Sequence, residues 1–148
     1  MTTTATDASR PPALLNGSLW LVQALLALLF TGTGVWKLVT PTDALGAVFP
    51  WMGELPAMAR VTGVFDLLGG LGILLPSLTR IRPRLAVLAA AGCVALQLSA
   101  IVFHFSRGEG GSTPFNFFLV ALSALVVWGR GWRAPIESAA RPEPRSLT

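Results

Sequence analysis

The apolar residues of this chain gather into four long runs, with proline, glycine and charge collected between them. The runs cover about 19–38, 57–76, 84–105 and 114–131, each near the roughly 20 residues an α-helix needs to cross a hydrocarbon core about 30 Å thick. The pattern predicts an all-α fold, a membrane-embedded four-helix bundle occupying 18–133. The first run is too long for a signal-peptide core and no A-x-A cleavage site follows it, so it is expected to stay as a span. The flanking segments, 1–17 and 134–148, are Thr-rich and polar at one end and basic and Pro-rich at the other. Both are expected to be disordered tails.

Between the first two runs, Thr40-Pro41-Thr42-Asp43 resembles a helix start and predicts a short interfacial helix. Ala44, Leu45, Val48 and Phe49 would rest in the interface and Trp51 at headgroup depth. All five tryptophans, Trp20, Trp36, Trp51, Trp128 and Trp132, fall at predicted interfaces, as an aromatic belt would.

Composition agrees with the runs: 53% of the residues are hydrophobic and 12% charged, the balance of an integral membrane protein. The net charge of +4 then bears on topology rather than on nucleic acid, which is not expected as a partner. With four spans, Arg10, Arg80, Arg82, Arg84, Arg130, Arg133, Arg141 and Arg145 share one side of the membrane, against Lys37, Arg60 and Arg107 on the other. The positive-inside rule therefore places both termini in the cytoplasm. The expected setting is a bacterial plasma membrane. A lone Cys93 excludes an internal disulfide or a CxxC pair.

Against this background Asp66 stands out, near the middle of the second run. A carboxylate at that depth costs roughly 2.5–3.5 kcal/mol, so it should face a bundle interior, a partner or a substrate. At about 100° per residue, Thr62, Gly63, Gly69, Gly70 and Ile73 share its face. Cys93, Gln97 and His104 form a stripe on the third run, Gln23, Gly34 and Lys37 on the first, and Asn116 and Ser123 on the fourth. Turned inward, these faces predict a pocket open to the extracytoplasmic leaflet, with Lys37, His104 and Asn116 toward its outer end and Asp66 and Gln97 deeper. Asp66, His104 and Lys37 are the candidate catalytic acid–base groups. Gln97, Asn116, Trp36, Arg107 and Glu109 are the candidate substrate contacts.

Plainer roles stand beside these. Lys37 at a span end is by default an interfacial snorkeller, and His104 can cap its helix. Arg107 and Glu109 suit an exposed loop ion pair worth roughly 0–1 kcal/mol. The glycines around Asp66 suit close helix packing, with no strand or basic cradle to make a nucleotide loop. One histidine and one in-span carboxylate are thin ligation, so no metal is expected.

The stretches GTGVWKL at Gly32–Leu38, VTGVFDLLGGLGILLP at Val61–Pro76 and HFSRGE at His104–Glu109, followed by Asn116, resemble the DoxX-like membrane proteins over roughly Leu19 to Arg133. Asp66 stands where many such proteins carry glutamate, keeping the charge and shortening the reach by one methylene. The resemblance implies a four-helix membrane bundle, with members associated with quinone-linked sulfur oxidation or membrane oxidoreductase complexes.

Three functions from different classes follow. The first is a quinone-associated, redox-linked subunit in which His104, Asp66 and Lys37 hydrogen-bond ring carbonyls and deliver protons. The chain has no haem ligand pair, flavin motif or redox-active cysteine pair, so no intrinsic cofactor is expected and a membrane or soluble partner protein would supply electrons. The second is a cofactor-free isomerase, cyclase or hydrolase acting on a lipophilic small molecule through Asp66 and His104. The third is a structural or assembly subunit packed through its glycine faces, which also permit a homo-oligomer in the lipid bilayer. A transporter ranks below these, because four spans leave little room for alternating access.

Overall fold

The computed structural model describes residues 12–139; the outer parts of both expected tails, 1–11 and 140–148, lie outside the described residues. The described chain is helical almost throughout: α1 (Ala13–Val39), α2 (Thr42–Val48), α3 (Pro50–Glu54), α4 (Pro56–Thr79), α5 (Arg84–Ser106) and α6 (Pro114–Trp128). The last of these runs on through a widened π turn at Gly129–Arg133. Proline marks the start of all six, at N1 in α3, α4 and α6 and just before the first turn in α1, α2 and α5. Its fixed φ suits a first turn, where a missing N–H costs nothing.

Four of these helices, with α6 taken through Arg133, are long and apolar enough to cross a membrane. Around the bundle α1 packs on α4, α4 on α5, α5 on α6, and α6 returns to α1. The shared interior is narrow, built on Leu26, Phe30, Ile73, Ala90, Cys93, Leu119 and Val126. Large apolar side chains such as Leu21, Leu28, Leu68, Leu88 and Val102 point outward instead. That distribution suits hydrocarbon as the surrounding solvent, where association rests on close packing of small residues.

The α1–α4 seam shows such packing. A Cβ on Gly34 would lie 2.7 Å from Leu67 N and 2.8 Å from Gly63 O, and one on Gly70 would lie 2.7 Å from Thr31 N. The two backbones touch here.

Three boundaries differ from the sequence expectation. Residues 13–17, expected in the tail, form the first turn and more of α1, because Pro12 can start a helix there. Pro76, expected to end the second span, lies inside α4, which continues to Thr79. Around it, Ile73 O accepts from Gln23 Nε2 at 3.0 Å and Ser77 Oγ at 3.3 Å, while Thr79 Oγ1 donates to Leu75 O. These bonds tie the turns around Pro76 to one another and to α1, while the carbonyl that its missing N–H leaves free is that of Gly72. The α1–α4 connection forms two short helices broken at Phe49. They fold back over the bundle end around Leu45, Trp51, Met52 and Ala59. Trp51, expected at headgroup depth, is therefore 7% exposed and packs edge-on against Phe103 and His104.

Candidate functional site

At the end of the bundle where α1 and α5 finish and α4 and α6 begin, the helices enclose a cavity of about 430 Å³. Six of the eight residues singled out from the sequence line it: Trp36, Lys37, Asp66, Gln97, His104 and Asn116. Phe49, Trp51 and Met52 from α2 and α3 contribute further wall. The chamber is mainly apolar, with polar groups at a few points.

The deepest of those points is an ion pair. Lys37 Nζ donates to Asp66 Oδ2 at 2.7 Å and reaches Thr62 Oγ1 at 3.4 Å. The glycine seam makes this possible, because a Cβ on Gly63 would lie only 2.9 Å from Lys37 Cβ. Arg60 holds the end of α1 in place by donating to the carbonyls of Lys37 and Thr40. Across the cavity Asn116 Nδ2 donates to Gln97 Oε1 at 2.6 Å, tying α6 to α5. The Asn116 Oδ1 and the Gln97 amino group have no hydrogen-bond partner among the described residues.

His104 is placed by the turn that follows it. Gly108, at φ 73°, lets α5 end in a Schellman motif: Glu109 N donates to His104 O at 2.8 Å and Gly108 N to Phe105 O at 3.1 Å. The Glu109 carboxylate comes back beneath the ring, and His104 Nδ1 donates to its Oε2 at 2.9 Å. Because a carboxylate only accepts, Nδ1 carries the proton and Nε2 has the free lone pair in the neutral ring. Among the described residues Nε2 has no hydrogen-bond partner, and it is not sealed from solvent-sized space. The ring lines the cavity.

Arg107 and Glu109, expected as substrate contacts, do not line the cavity. They lie past the end of α5, where Arg107 donates to Glu109 Oε1 at 2.9 Å and to Glu54 Oε2 at 2.7 Å. Glu109 orients His104, and Arg107 clasps α3 to the α5–α6 turn. Hydrogen bonds from His104 and then Arg107 hold the Glu109 carboxyl below its ordinary range. Those from Arg107 to Glu54 and Glu109 raise the guanidinium above its own.

A second polar cluster lies at the opposite end and was not foreseen. Arg130, counted from the sequence among the charges of one membrane side, is 4% exposed. Its Nε donates to Gln23 Oε1 and its Nη1 to Asn16 Oδ1, both at 2.7 Å, and the guanidinium lies over Trp20. Gln23 in turn donates to Ser77 Oγ. The π turn rotates Arg130 inward, so Gln23 faces this cluster and not the cavity. Among the described residues no three His, Cys, Asp or Glu side chains converge as metal ligands would.

The fold and cavity define a class: an integral membrane protein of four spans whose bundle encloses an apolar chamber with a buried ion pair at one end. The chain belongs to the DoxX-like family, whose model matches residues 21–126. That match takes in Lys37, Asp66, His104, Glu109 and Asn116. Comparison with curated proteins and with solved structures finds no match for this chain.

Proposed function

We propose that this protein is a redox-linked membrane subunit whose cavity binds the ring of a quinone and handles its protons. The observation that carries the reading is the combination, in one apolar chamber, of the Lys37–Asp66 pair and a histidine with Nδ1 committed to Glu109 and Nε2 free. Apolar and aromatic walls suit a ring, and a few fixed polar groups suit its two carbonyl oxygens. The remaining Lys37 N–H and the Gln97 amino group are the donors for those oxygens. Reducing a quinone to its quinol takes two electrons and two protons. A partner protein supplies the electrons, and protons taken from solvent reach the ring oxygens from Nε2–H of the doubly protonated His104, whose charge the Glu109 carboxylate balances at Nδ1.

The arginine distribution supports an orientation with both termini in the cytoplasm of a bacterial plasma membrane. The cavity then opens on the extracytoplasmic side.

A cofactor-free acid–base enzyme is the second reading, favoured by the same free Nε2. It differs in needing an acid beside that base, and Asp66 spends its Oδ2 on Lys37.

The experiment is titration of the purified protein with a short-chain benzoquinone, followed by quenching of Trp36 and Trp51 fluorescence. Saturable quenching is expected, weakened roughly ten-fold or more in Asp66→Asn, the usual scale for losing a hydrogen bond to a charged group. Unchanged quenching in that variant would refute the reading.

A further inference from the structure

A second hollow of about 380 Å³ lies along the seam between α4 and α5, and it shares Leu96 and Ser99 with the first. Its floor is made by small side chains, Gly69, Ala89, Gly92 and Ala95, flanked by Phe65 and Leu68. Its polar content is almost spent, because Ser99 Oγ donates to Ala95 O at 2.9 Å. Gly92 is exposed, and a Cβ there would meet nothing within 4 Å. Along α5 from Ser99 to Ala89 the hollow runs about 15 Å, half of a typical 30 Å hydrocarbon core.

We propose that this seam is a tail groove: it holds the hydrocarbon chain of the amphiphile whose ring occupies the first cavity, and it is the path by which that molecule enters from the bilayer. The proposal rests on the ring-binding reading above and adds the class of ligand, a ring carrying a single long chain. Three observations fix the occupant. The hollow adjoins the polar chamber across Leu96 and Ser99, so one molecule passing over those side chains can fill both. Its walls are almost wholly apolar, with only the Ser99 hydroxyl, already bonded to Ala95 O, and the Cys93 thiol as exceptions. Its length spans one leaflet's worth of hydrocarbon, which a chain anchored by its ring would follow. A ligand arriving this way stays in apolar surroundings until its carbonyl oxygens meet Lys37 and Gln97.

The test uses a benzoquinone whose decyl chain ends in a diazirine, irradiated with the purified full-length protein and mapped by peptide mass spectrometry. Label is expected on the groove residues between Phe65 and Gly69 and between Ala89 and Ser99. It should fall roughly ten-fold in Gly92→Phe, whose Cβ meets nothing within 4 Å, on the scale of losing several buried methylenes. Helicity and monodispersity of that variant are checked in parallel, and the smaller Gly92→Leu should give an intermediate loss. Label spread over outward residues such as Leu21 and Val102, label unaffected by Gly92→Phe, or label bridging two copies of the chain would overturn the groove. Competition by a tailless benzoquinone separates the two readings. Groove label that the tailless ring does not displace would keep the groove and refute the quinone ring, whereas displacement without groove label would do the reverse.

Discussion

Lys37 Nζ lies 2.7 Å from Asp66 Oδ2 across the seam where Gly34 and Gly63 let the α1 and α4 backbones touch. The pair is nearly buried, with side chains 15% and 5% exposed, so its partners are unequal when separated. A lysine left alone at a helix end can extend toward water, but an aspartate at helix depth cannot. Lys37→Met should therefore destabilise more than Asp66→Asn, by about 3–5 kcal/mol for the stranded carboxylate, and the double variant should recover part of the loss. Thermal unfolding in detergent of the four proteins of this cycle measures it.

The glycine seam predicts a contrast between positions on one helix. Gly34→Ala should cost about 1–3 kcal/mol, because its Cβ would press on Leu67 N and Gly63 O and the helices would have to part. Gly32→Ala, with nothing within 4 Å, should be neutral or stabilising by up to about 1 kcal/mol. Denaturation midpoints of the two variants against wild type check this.

His104 is the chain's one histidine, so its imidazole nitrogens can be assigned without ambiguity in a labelled sample. The neutral ring should show the proton on Nδ1, and Glu109→Leu should remove that bias. Gly108→Ala should weaken it too, since a Cβ at φ 73° costs about 1–2 kcal/mol and loosens the turn that carries Glu109. Nitrogen NMR of the three proteins reads the tautomer directly.

Glu109 also sets a pH dependence with a definite sign. Its carboxyl is held below the ordinary range in the fold, by His104 first and Arg107 second. The link is thus fully present above the unfolded carboxyl value near 4.3 and is lost as pH falls through the lower folded value. Wild type should lose thermal stability on acidification across that window. Glu109→Gln should start lower at neutral pH and show a shallower acid decline. A parallel curve displaced by a constant amount would contradict the assignment.

Much of this was legible in the residues, and the exceptions have physical causes. The four spans follow from run length alone, and the inward faces of Asp66, Gln97 and His104 follow from helical periodicity, since each polar group at depth has one way to avoid hydrocarbon. Arg107 and Glu109 were visible as a loop pair. Their links to Glu54 and to His104 were not, because one depends on how α3 folds back and the other on the positive φ of Gly108. Trp51 reads as a belt residue until the break at Phe49 turns it inward. Arg130 misleads most: at the end of the fourth run it counts among the arginines of one membrane side, and only the π turn brings it onto Gln23 and Asn16. The seam hollow between α4 and α5 leaves a trace in the small residues Gly69, Ala89 and Gly92, which close helix packing would equally explain.

The most direct measurement is mass spectrometry of the lipophilic molecules that copurify with wild type and with Asp66→Asn from matched membrane preparations. A long-chain quinone enriched in the wild type and lost from the variant, with helicity and monodispersity unchanged, is the predicted result. The same set of lipids retained by both proteins would contradict a quinone-binding cavity built on the Lys37–Asp66 pair.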